Sequence, residues 1–119
     1  MARILIVDDE ADILIVFQSL LNSEGHEVRT TQSGEEAIQV AQSGKIDLLI
    51  VDVRMDPVDG FHILRSLQDS KSEVSVIIVS AYYDANSIEL AKILGAFKFL
   101  AKPVGMEALI EAVNGAIGA

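Results

Sequence analysis

With 119 residues, half of them hydrophobic, the chain has the size and apolar content of one globular domain and too little length for two. Its 18 acidic and 9 basic residues give a net charge of −9, which disfavours direct contact with nucleic acid because phosphate backbones require basic surface. The absence of cysteine excludes disulfides and thiolate zinc sites, and the lack of a signal-peptide pattern or a long apolar run favours a cytoplasmic location without membrane contact.

Short runs rich in β-branched residues alternate along the chain with longer helical patterns, five of each. The predicted strands are 3–7, 27–31, 47–51, 74–79 and 97–100. The predicted helices are 10–23, 33–44, 61–69, 85–95 and 106–117. A capping-box pattern at Ser33 opens the second helix. The last helix has a predicted core stripe of Met106, Leu109, Ile110, Val113 and Ile117.

The hydrophobic pattern of the strands indicates how they are arranged. The first, third and fourth are nearly continuous apolar runs, as in strands covered on both faces, whereas the second alternates and is typical of an edge strand. Right-handed crossovers turn such a (βα)5 chain into an α/β fold with a doubly wound parallel sheet. Ligands of these sheets bind outside the carboxyl ends of the strands.

Polar side chains follow four of the five predicted strands. They are Asp8, Asp9 and Glu10 after the first strand, Asp52 after the third, Ser80 after the fourth and Lys102 after the fifth. Any one of them alone is more simply interpreted as a solvated strand end or a helix cap, and Asp8 could cap the first helix. Because parallel strands end at the same edge, the whole set instead predicts a shared site.

The chemistry of this set favours a phosphoryl-transfer site. Clustered carboxylates repel each other unless a cation lies between them, and oxygen ligands suit Mg²⁺. A carboxylate can attack a phosphoryl donor and form an acyl phosphate. A metal ion and a lysine would neutralise the charge of the phosphoryl oxygens during transfer.

With these motifs in view, the whole chain resembles the receiver domain of two-component response regulators, which implies one receiver domain over residues 1–119. The resemblance rests on Val7-Asp8-Asp9-Glu10, on Asp52 followed by Met55 and Asp59-Gly60, on Ser80-Ala81, on Phe99 and on Lys102-Pro103. It implies a flavodoxin-like sheet with strand order 2-1-3-4-5 and a cis peptide before Pro103.

The resemblance also implies a role for each site residue. Asp52 would be the nucleophile and phosphoacceptor, and Lys102 would pair with the phosphoryl group. Mg²⁺ would be bound by Asp9, Asp52 and the backbone carbonyl of Arg54, with Asp8 assisting through water. Ser80 would move toward the phosphoryl group and Phe99 would turn inward, which would change the surface of helix four, strand five and helix five.

By the same resemblance, the phosphodonor would be a sensor histidine kinase or a histidine phosphotransfer protein. The domain itself would not be an enzyme, apart from its own dephosphorylation. No cysteine or second histidine lies near His26 or His62 in the sequence, so neither is predicted to be functional.

The loop after Asp52 departs from the usual family pattern. Asp56 stands where the family usually has proline, and Pro57 follows it. We interpret Asp56 as a solvated turn residue. Arg54 and Tyr82 occupy positions that influence dephosphorylation in this family, and both are bulky, so we hypothesise that they shield the acyl phosphate from water.

Two helices suggest contact surfaces, each with an ordinary alternative. The first helix has more apolar residues than one buried face needs, which fits a docking patch for a kinase helix or a wide core stripe equally well. The last helix repeats alanine at positions 108, 112, 116 and 119. This pattern permits a homodimer through helices four and five, or reflects only the helix propensity of alanine.

Three other functions are compatible with parts of the pattern. A phosphatase of the haloacid dehalogenase type would usually have a second acid where Arg54 stands. A flavodoxin-like FMN protein would need a phosphate-binding loop where Asp8, Asp9 and Glu10 would repel phosphate. A degenerate receiver that serves only as an interaction module would not need the complete acidic set with Ser80 and Lys102. The sequence does not distinguish a complete single-domain regulator from a receiver cut from a longer protein.

Overall fold

The computed structural model describes residues 2–54, 58–81 and 84–118, and within them strands and helices alternate from end to end. The strands are β1 (Arg3–Val7), β2 (Glu27–Thr31), β3 (Leu48–Asp52), β4 (Ser75–Ser80) and β5 (Lys98–Ala101). The helices are α1 (Ala11–Ser23), α2 (Gly34–Gln42), α3 (Gly60–Asp69), α4 (Ala85–Ile93) and α5 (Met106–Ile117). Among the described helices, none has the length and apolar character needed to cross a bilayer.

The five strands form one parallel sheet in the order β2-β1-β3-β4-β5. This confirms the predicted doubly wound α/β fold and the edge position of β2. The register pairs Val7 with Val51, Asp52 with Val79, and Ser80 with Ala101. The ends of β1, β3, β4 and β5 therefore lie level at one edge of the sheet, which is what the predicted site requires.

Both faces of the three inner strands are buried, as their apolar runs predicted. Alternate side chains of a strand point to opposite faces, so each inner strand serves two cores. Ile6, Ile50 and Val79 pack with α1 and α5 on one side. Leu5, Leu49 and Ile78 pack with α2, α3 and α4 on the other. The inner strands are thus held from both sides up to the edge where the polar residues begin.

The predicted bounds of β1 and β2 are confirmed, but β3, β4 and β5 each begin and end one residue later than predicted. At the start of β3, the Asp47 side chain bonds the backbone amide and guanidinium of Arg3 outside the strand. At the far end, the ladder continues past the last apolar residue to Asp52, Ser80 and Ala101. Hydrophobicity marks burial, whereas pairing depends on the backbone, so the pattern ended these strands too early.

The predicted core stripe of α5 was wrong at its first position. Met106 is 62% exposed, while Leu109, Ala112 and Val113 are the buried residues. Met106 is the first residue of the helix, and its side chain lies outside the core. Helical periodicity alone does not show where along a helix the contact with the sheet begins.

The predicted cap of α2 is confirmed, since the Ser33 hydroxyl accepts a hydrogen bond of 3.1 Å from the Glu36 amide.

Candidate functional site

Four of the predicted site residues meet at the carboxyl edge of the sheet. Asp8 follows β1, Asp52 ends β3, Ser80 ends β4, and Lys102 follows β5. Asp8, Asp52 and Ser80 are 2%, 4% and 0% exposed, respectively. Burial of two acids at one edge of a sheet is unusual unless a cation pairs with them.

Lys102 supplies that positive charge. Its Nζ lies 3.1 Å from Asp8 Oδ2, 3.3 Å from Asp52 Oδ2 and 3.5 Å from Glu10 Oε1. The first two partners are buried and the third is exposed. One ammonium group therefore connects the acidic loop after β1 with the end of β3.

The second oxygen of each buried carboxylate bonds the backbone of its own loop. Asp8 Oδ1 accepts a hydrogen bond of 2.9 Å from the Glu10 amide, and Asp52 Oδ1 accepts one of 3.2 Å from the Arg54 amide. Asp8 thus closes a short turn and does not cap α1, whose N-cap residue is Glu10 without a side-chain cap bond. Both carboxylates are oriented by the chain that follows them.

Burial is the main influence on the acidity of the site. Loss of water raises the pKa of Asp8, and the Glu10 amide and Lys102 offset this only in part. Loss of water also raises the pKa of Asp52 against the opposing effects of Lys102 and the Arg54 amide. Burial would lower the pKa of Lys102, but the hydrogen bond to Asp8 and the charge of Asp52 outweigh it and raise that pKa. The ammonium is therefore firmly charged, while its two partners are less acidic than ordinary aspartates.

The loop after β1 has the donor set of a divalent-cation site. Carboxylate oxygens of Asp8, Asp9 and Glu10 lie within 4.8 Å of one another, and Asp9 and Glu10 are exposed. An oxygen-only set that is open to water fits Mg²⁺, which retains several of its waters when it binds protein. Asp52 is not part of this cluster but contacts Lys102, and Arg54 follows two residues later.

Glu10 was predicted as a member of the polar set after the first strand, but without a role of its own. Its carboxylate contacts Lys102 and belongs to the acidic cluster. The only signal was its place as the third acid in Asp8-Asp9-Glu10. A run of acids does not show which side chains turn toward a lysine that lies 92 residues later in the chain.

The predicted switch residues Ser80 and Phe99 lie on neighbouring strands. Ser80 is fully buried, and its carbonyl accepts a hydrogen bond of 2.8 Å from the Lys102 amide. Phe99 pairs with Ile78 in the sheet and packs, half-buried, against the core on the α4 side. The peptide between Lys102 and Pro103 is cis, as the resemblance implies. The predictions on Met55, Asp56, Pro57 and Tyr82 lie outside the described residues.

Part of the apolar surplus of α1 is exposed. Leu14, Phe17 and Leu21 are buried, whereas Ile15 and Val16 are 65% and 56% exposed. A cleft of about 390 Å³ lies between α1 and the chain after Lys102, with Ile13, Val16, Phe17, Pro103 and Val104 in its walls. A wide core stripe accounts for Ile13 and Leu20, which pack on the core, but not for the two exposed residues.

The alanine pattern of α5 does not form one free face. Ala112 is buried in the core, Ala116 is half-buried against it, and Ala108 is exposed. Ala119 lies outside the described residues. The pattern is therefore divided between the core and the surface, and a homodimer through α4 and α5 stays a prediction.

The chain belongs to the response regulator receiver family, because the profile of the response regulator receiver domain matches residues 4–114. The transcriptional regulatory protein GlrR of Escherichia coli K12 is 37% identical over 116 residues, which are 98% of this chain and 26% of that protein. Response regulator SaeR of Staphylococcus aureus USA300 is 34% identical over 114 residues, 96% of this chain and 50% of that protein. The chain thus spans between a quarter and half of these relatives.

Solved structures give the same family and fold. A response regulator receiver domain protein from Clostridium thermocellum has a TM-score of 0.91 at 36% identity, covering 99% of this chain and 95% of that one. Chemotaxis protein CheY4 of Vibrio cholerae has a TM-score of 0.89 at 27% identity, covering 98% of both chains. The chain is therefore a receiver domain with a flavodoxin-like sheet, a signalling fold of two-component systems.

We predict that Asp52→Asn, measured without divalent metal, raises the free energy of unfolding at pH 7 by about 1 kcal/mol. The folded protein raises the pKa of Asp52, so the ionised carboxylate costs stability at neutral pH. As the pH falls through this raised pKa toward the unfolded value of about 3.9, wild type takes up the proton and the difference between the two proteins narrows. Urea unfolding at several pH values measures it.

Asp47→Asn is the matched control for this prediction, because Asp47 lies at the opposite end of β3. Arg3 holds the pKa of Asp47 below its usual range, so the sign is reversed. Neutralising Asp47 should bring no gain in stability at pH 7. Equal stabilisation by both substitutions would mean that general relief of the net negative charge, and not the environment of Asp52, is responsible.

Proposed function

We propose that this receiver domain accepts a phosphoryl group on Asp52 in a Mg²⁺-dependent reaction with a phosphohistidine donor. The observation that carries the proposal is the contact of Lys102 with two buried carboxylates, Asp8 and Asp52, whose pKa values are raised by burial. Burying two acids that share one ammonium costs free energy of folding. Such arrangements concentrate at functional sites.

In the proposed reaction, a carboxylate oxygen of Asp52 attacks the phosphorus, and an oxygen–phosphorus bond forms. The bond between phosphorus and the donor imidazole nitrogen breaks, and its electron pair returns to the imidazole. Lys102 Nζ lies 3.3 Å from the Asp52 carboxylate before transfer and would pair with the phosphoryl oxygens after it. The acceptor therefore needs no proton transfer from a base, because it is used as the anion.

Mg²⁺ is assigned to Asp9, Asp52 and the Arg54 carbonyl, with Asp8 assisting. Bound there, the ion would neutralise charge on the transferring group and orient it toward Asp52. The oxygen-only cluster of Asp8, Asp9 and Glu10 supports this assignment. Asp8 and Asp52 each bond one backbone amide and Lys102, so the proposed assisting role of Asp8 rests on the family resemblance.

After transfer, the proposed switch passes from Ser80 to the surface formed by α4, β5 and α5. Ser80 ends β4 and Phe99 lies on the adjacent strand, so movement of the hydroxyl at one strand end would change the packing beside it. The exposed side chains of Ile93 on α4 and of Phe97 before β5 would belong to the changed surface.

We propose that the phosphodonor protein docks on α1. Ile15 and Val16 are exposed apolar side chains, and the cleft beside them reaches from Phe17 to Lys102, next to the phosphoacceptor. A donor helix on this surface would bring its histidine to the carboxyl edge of the sheet. The proposal includes no direct contact of this domain with nucleic acid or with a membrane. The cytoplasmic location stays a prediction.

Incubation with acetyl phosphate and Mg²⁺ should add the mass of one phosphoryl group to the intact protein. The adduct should be lost in Asp52→Asn, which removes the nucleophilic oxygen, and kept in Asp47→Asn at the other end of β3. Intact-mass spectrometry measures both. No adduct with several small donors would contradict the proposal and favour a receiver that acts only as an interaction module, whereas steady turnover of a phosphate ester would favour a phosphatase.

Val16→Glu should slow phosphorylation by a histidine kinase that is active on wild type by about tenfold, because an apolar contact is replaced by a charge. Phosphorylation by acetyl phosphate should not change, since that donor needs no docking surface. Glu35→Gln on α2, at an exposed position away from the cleft, is the control. Equal slowing with both donors would show damage to the site and not loss of docking.

Arg54→Ala should shorten the lifetime of the phosphorylated form about threefold, if a bulky side chain beside Asp52 excludes attacking water. Phosphate release from the isolated phosphoprotein measures this lifetime. Arg65→Ala removes the same side chain from the exposed face of α3 and is the control. An unchanged lifetime in Arg54→Ala would rule out shielding by this residue.

A further inference from the structure

The chain between β2 and α2 contacts the loop after β1 and the loop after β3, which we call the two acidic loops, although it contributes none of the predicted site residues. We call residues 31–34, from the last residue of β2 to the first residue of α2, the bridging segment. Its members are Thr31, Gln32, Ser33 and Gly34. Three separate contacts of the bridging segment reach the chain that carries the carboxylates of the site.

Two of these contacts hold the loop after β1. The Gln32 side-chain amide donates a hydrogen bond of 3.0 Å to the backbone carbonyl of Asp9. The Asp8 amide donates one of 3.3 Å to the carbonyl of Thr31, which continues the β1–β2 ladder into the loop. Asp9 is exposed and lies beyond the last strand pair, so Gln32 supports the backbone at a point where the sheet does not.

The third contact holds the loop after β3. A Cβ placed on Gly34 would lie 2.7 Å from the Val58 carbonyl oxygen and 2.9 Å from the Val58 Cβ. The first turn of α2 and the chain at Val58 therefore touch along the backbone, and any side chain at Gly34 would push them apart. Val58 belongs to the connection that leads from Asp52 and Arg54 to α3.

The segment itself is fixed independently of the site. The Thr31 hydroxyl accepts a hydrogen bond of 3.0 Å from the Ser33 amide, and the Ser33 hydroxyl caps α2 at the Glu36 amide. Thr31 is 9% exposed and Gly34 is buried. The bridging segment can therefore serve as a rigid reference for the two loops on either side of it.

We propose that the bridging segment sets the distance between the two acidic loops, and that Gln32 and Gly34 are positioning residues for the cation of the proposed function. The inference rests on that function, because it concerns the same cation. Mg²⁺ requires near-octahedral geometry, so small displacements of the backbone that carries its ligands weaken binding. Neither residue touches the phosphoryl group or Asp52 in this assignment.

Titration calorimetry with MgCl2 tests the proposal on the intact chain. Gln32→Ala and Gly34→Ala should each raise the Mg²⁺ dissociation constant by about tenfold. At saturating Mg²⁺, acetyl phosphate should phosphorylate both variants to the same plateau as wild type, because Asp52 and Lys102 are unchanged. A role in positioning thus appears in the Mg²⁺ dependence and not in the plateau, which general damage to the fold would lower.

The chain offers matched controls for both variants. Gln18→Ala removes another side-chain amide to carbonyl hydrogen bond, of 3.1 Å to Val28, which lies near the opposite end of β2. Gly115→Ala adds a methyl group on α5 that meets only the exposed, rotatable ring of Phe97 at 3.2 Å. Neither control should change the Mg²⁺ dissociation constant, even where thermal unfolding shows that stability has changed.

The outcomes separate this inference from the function on which it rests. Asp9→Asn and Asp52→Asn should abolish Mg²⁺ binding, whatever the bridging segment does. If they do so and Gln32→Ala binds Mg²⁺ as tightly as wild type, the inference is overturned and the proposed function stands. Absence of Mg²⁺ binding by wild type would overturn both. Should Gly34→Ala fail to fold, Gln32→Ala decides the matter, since its side chain is exposed.

Discussion

The structure of the site depends on mutual repulsion between the two buried carboxylates of Asp8 and Asp52 and on the Lys102 ammonium that relieves it. Asp8 and Asp52 follow adjacent strands, so the sheet itself forces them together. Lys102 must come from β5, which is separated from β3 by the whole width of β4. A long, flexible side chain can cross that width, and the strand that it crosses ends in the small Ser80. The small side chain of Ser80 and the long side chain of Lys102 are thus parts of the same arrangement.

The backbone positions of the sheet do not depend on the charges of the site. The inner strands are buried on both faces almost to their last residue, so their backbone positions are set by apolar packing. The carboxylates keep raised pKa values in this setting, which means that the fold holds them against their own preference. For Asp8 and Asp52, the cost of burial opposes the attraction of Lys102. A cation or a phosphoryl group that changes the charge at this edge would alter that balance.

How far the sequence predicted this arrangement can be argued from particular residues. Asp52 and Lys102 were predicted to converge because parallel topology brings the carboxyl ends of strands to one edge whatever the loops do. The last paired residues of β3, β4 and β5 were missed because pairing outlasts hydrophobicity. Met106 was misplaced because periodicity carries no information on where along a helix the contact with the sheet begins.

Glu10 was placed in the polar set without a role of its own, and Gln32 and Gly34 had no sequence signal for their contacts. Each acts through a contact with a distant part of the chain, to Lys102, to the Asp9 carbonyl and to Val58, respectively. A pattern along one segment reports the periodicity of that segment, whereas a loop-to-loop contact depends on where two segments meet in space. The sequence predictions therefore named residues at the strand ends and none of the contacts that support the loops.

This difference between strand and loop also explains why the site needs a support of its own. Asp52 and Ser80 are ladder residues, so the sheet fixes their backbones. Asp9 and Arg54 lie beyond the ladders, where hydrogen bonds within one loop restrain orientation but not the distance to the other loop. A cation that takes ligands from both loops is sensitive to that distance, and the bridging segment contacts both of them. In the proposed function, a rigid bridging segment would therefore contribute to cation binding, although none of its side chains would take part in the reaction.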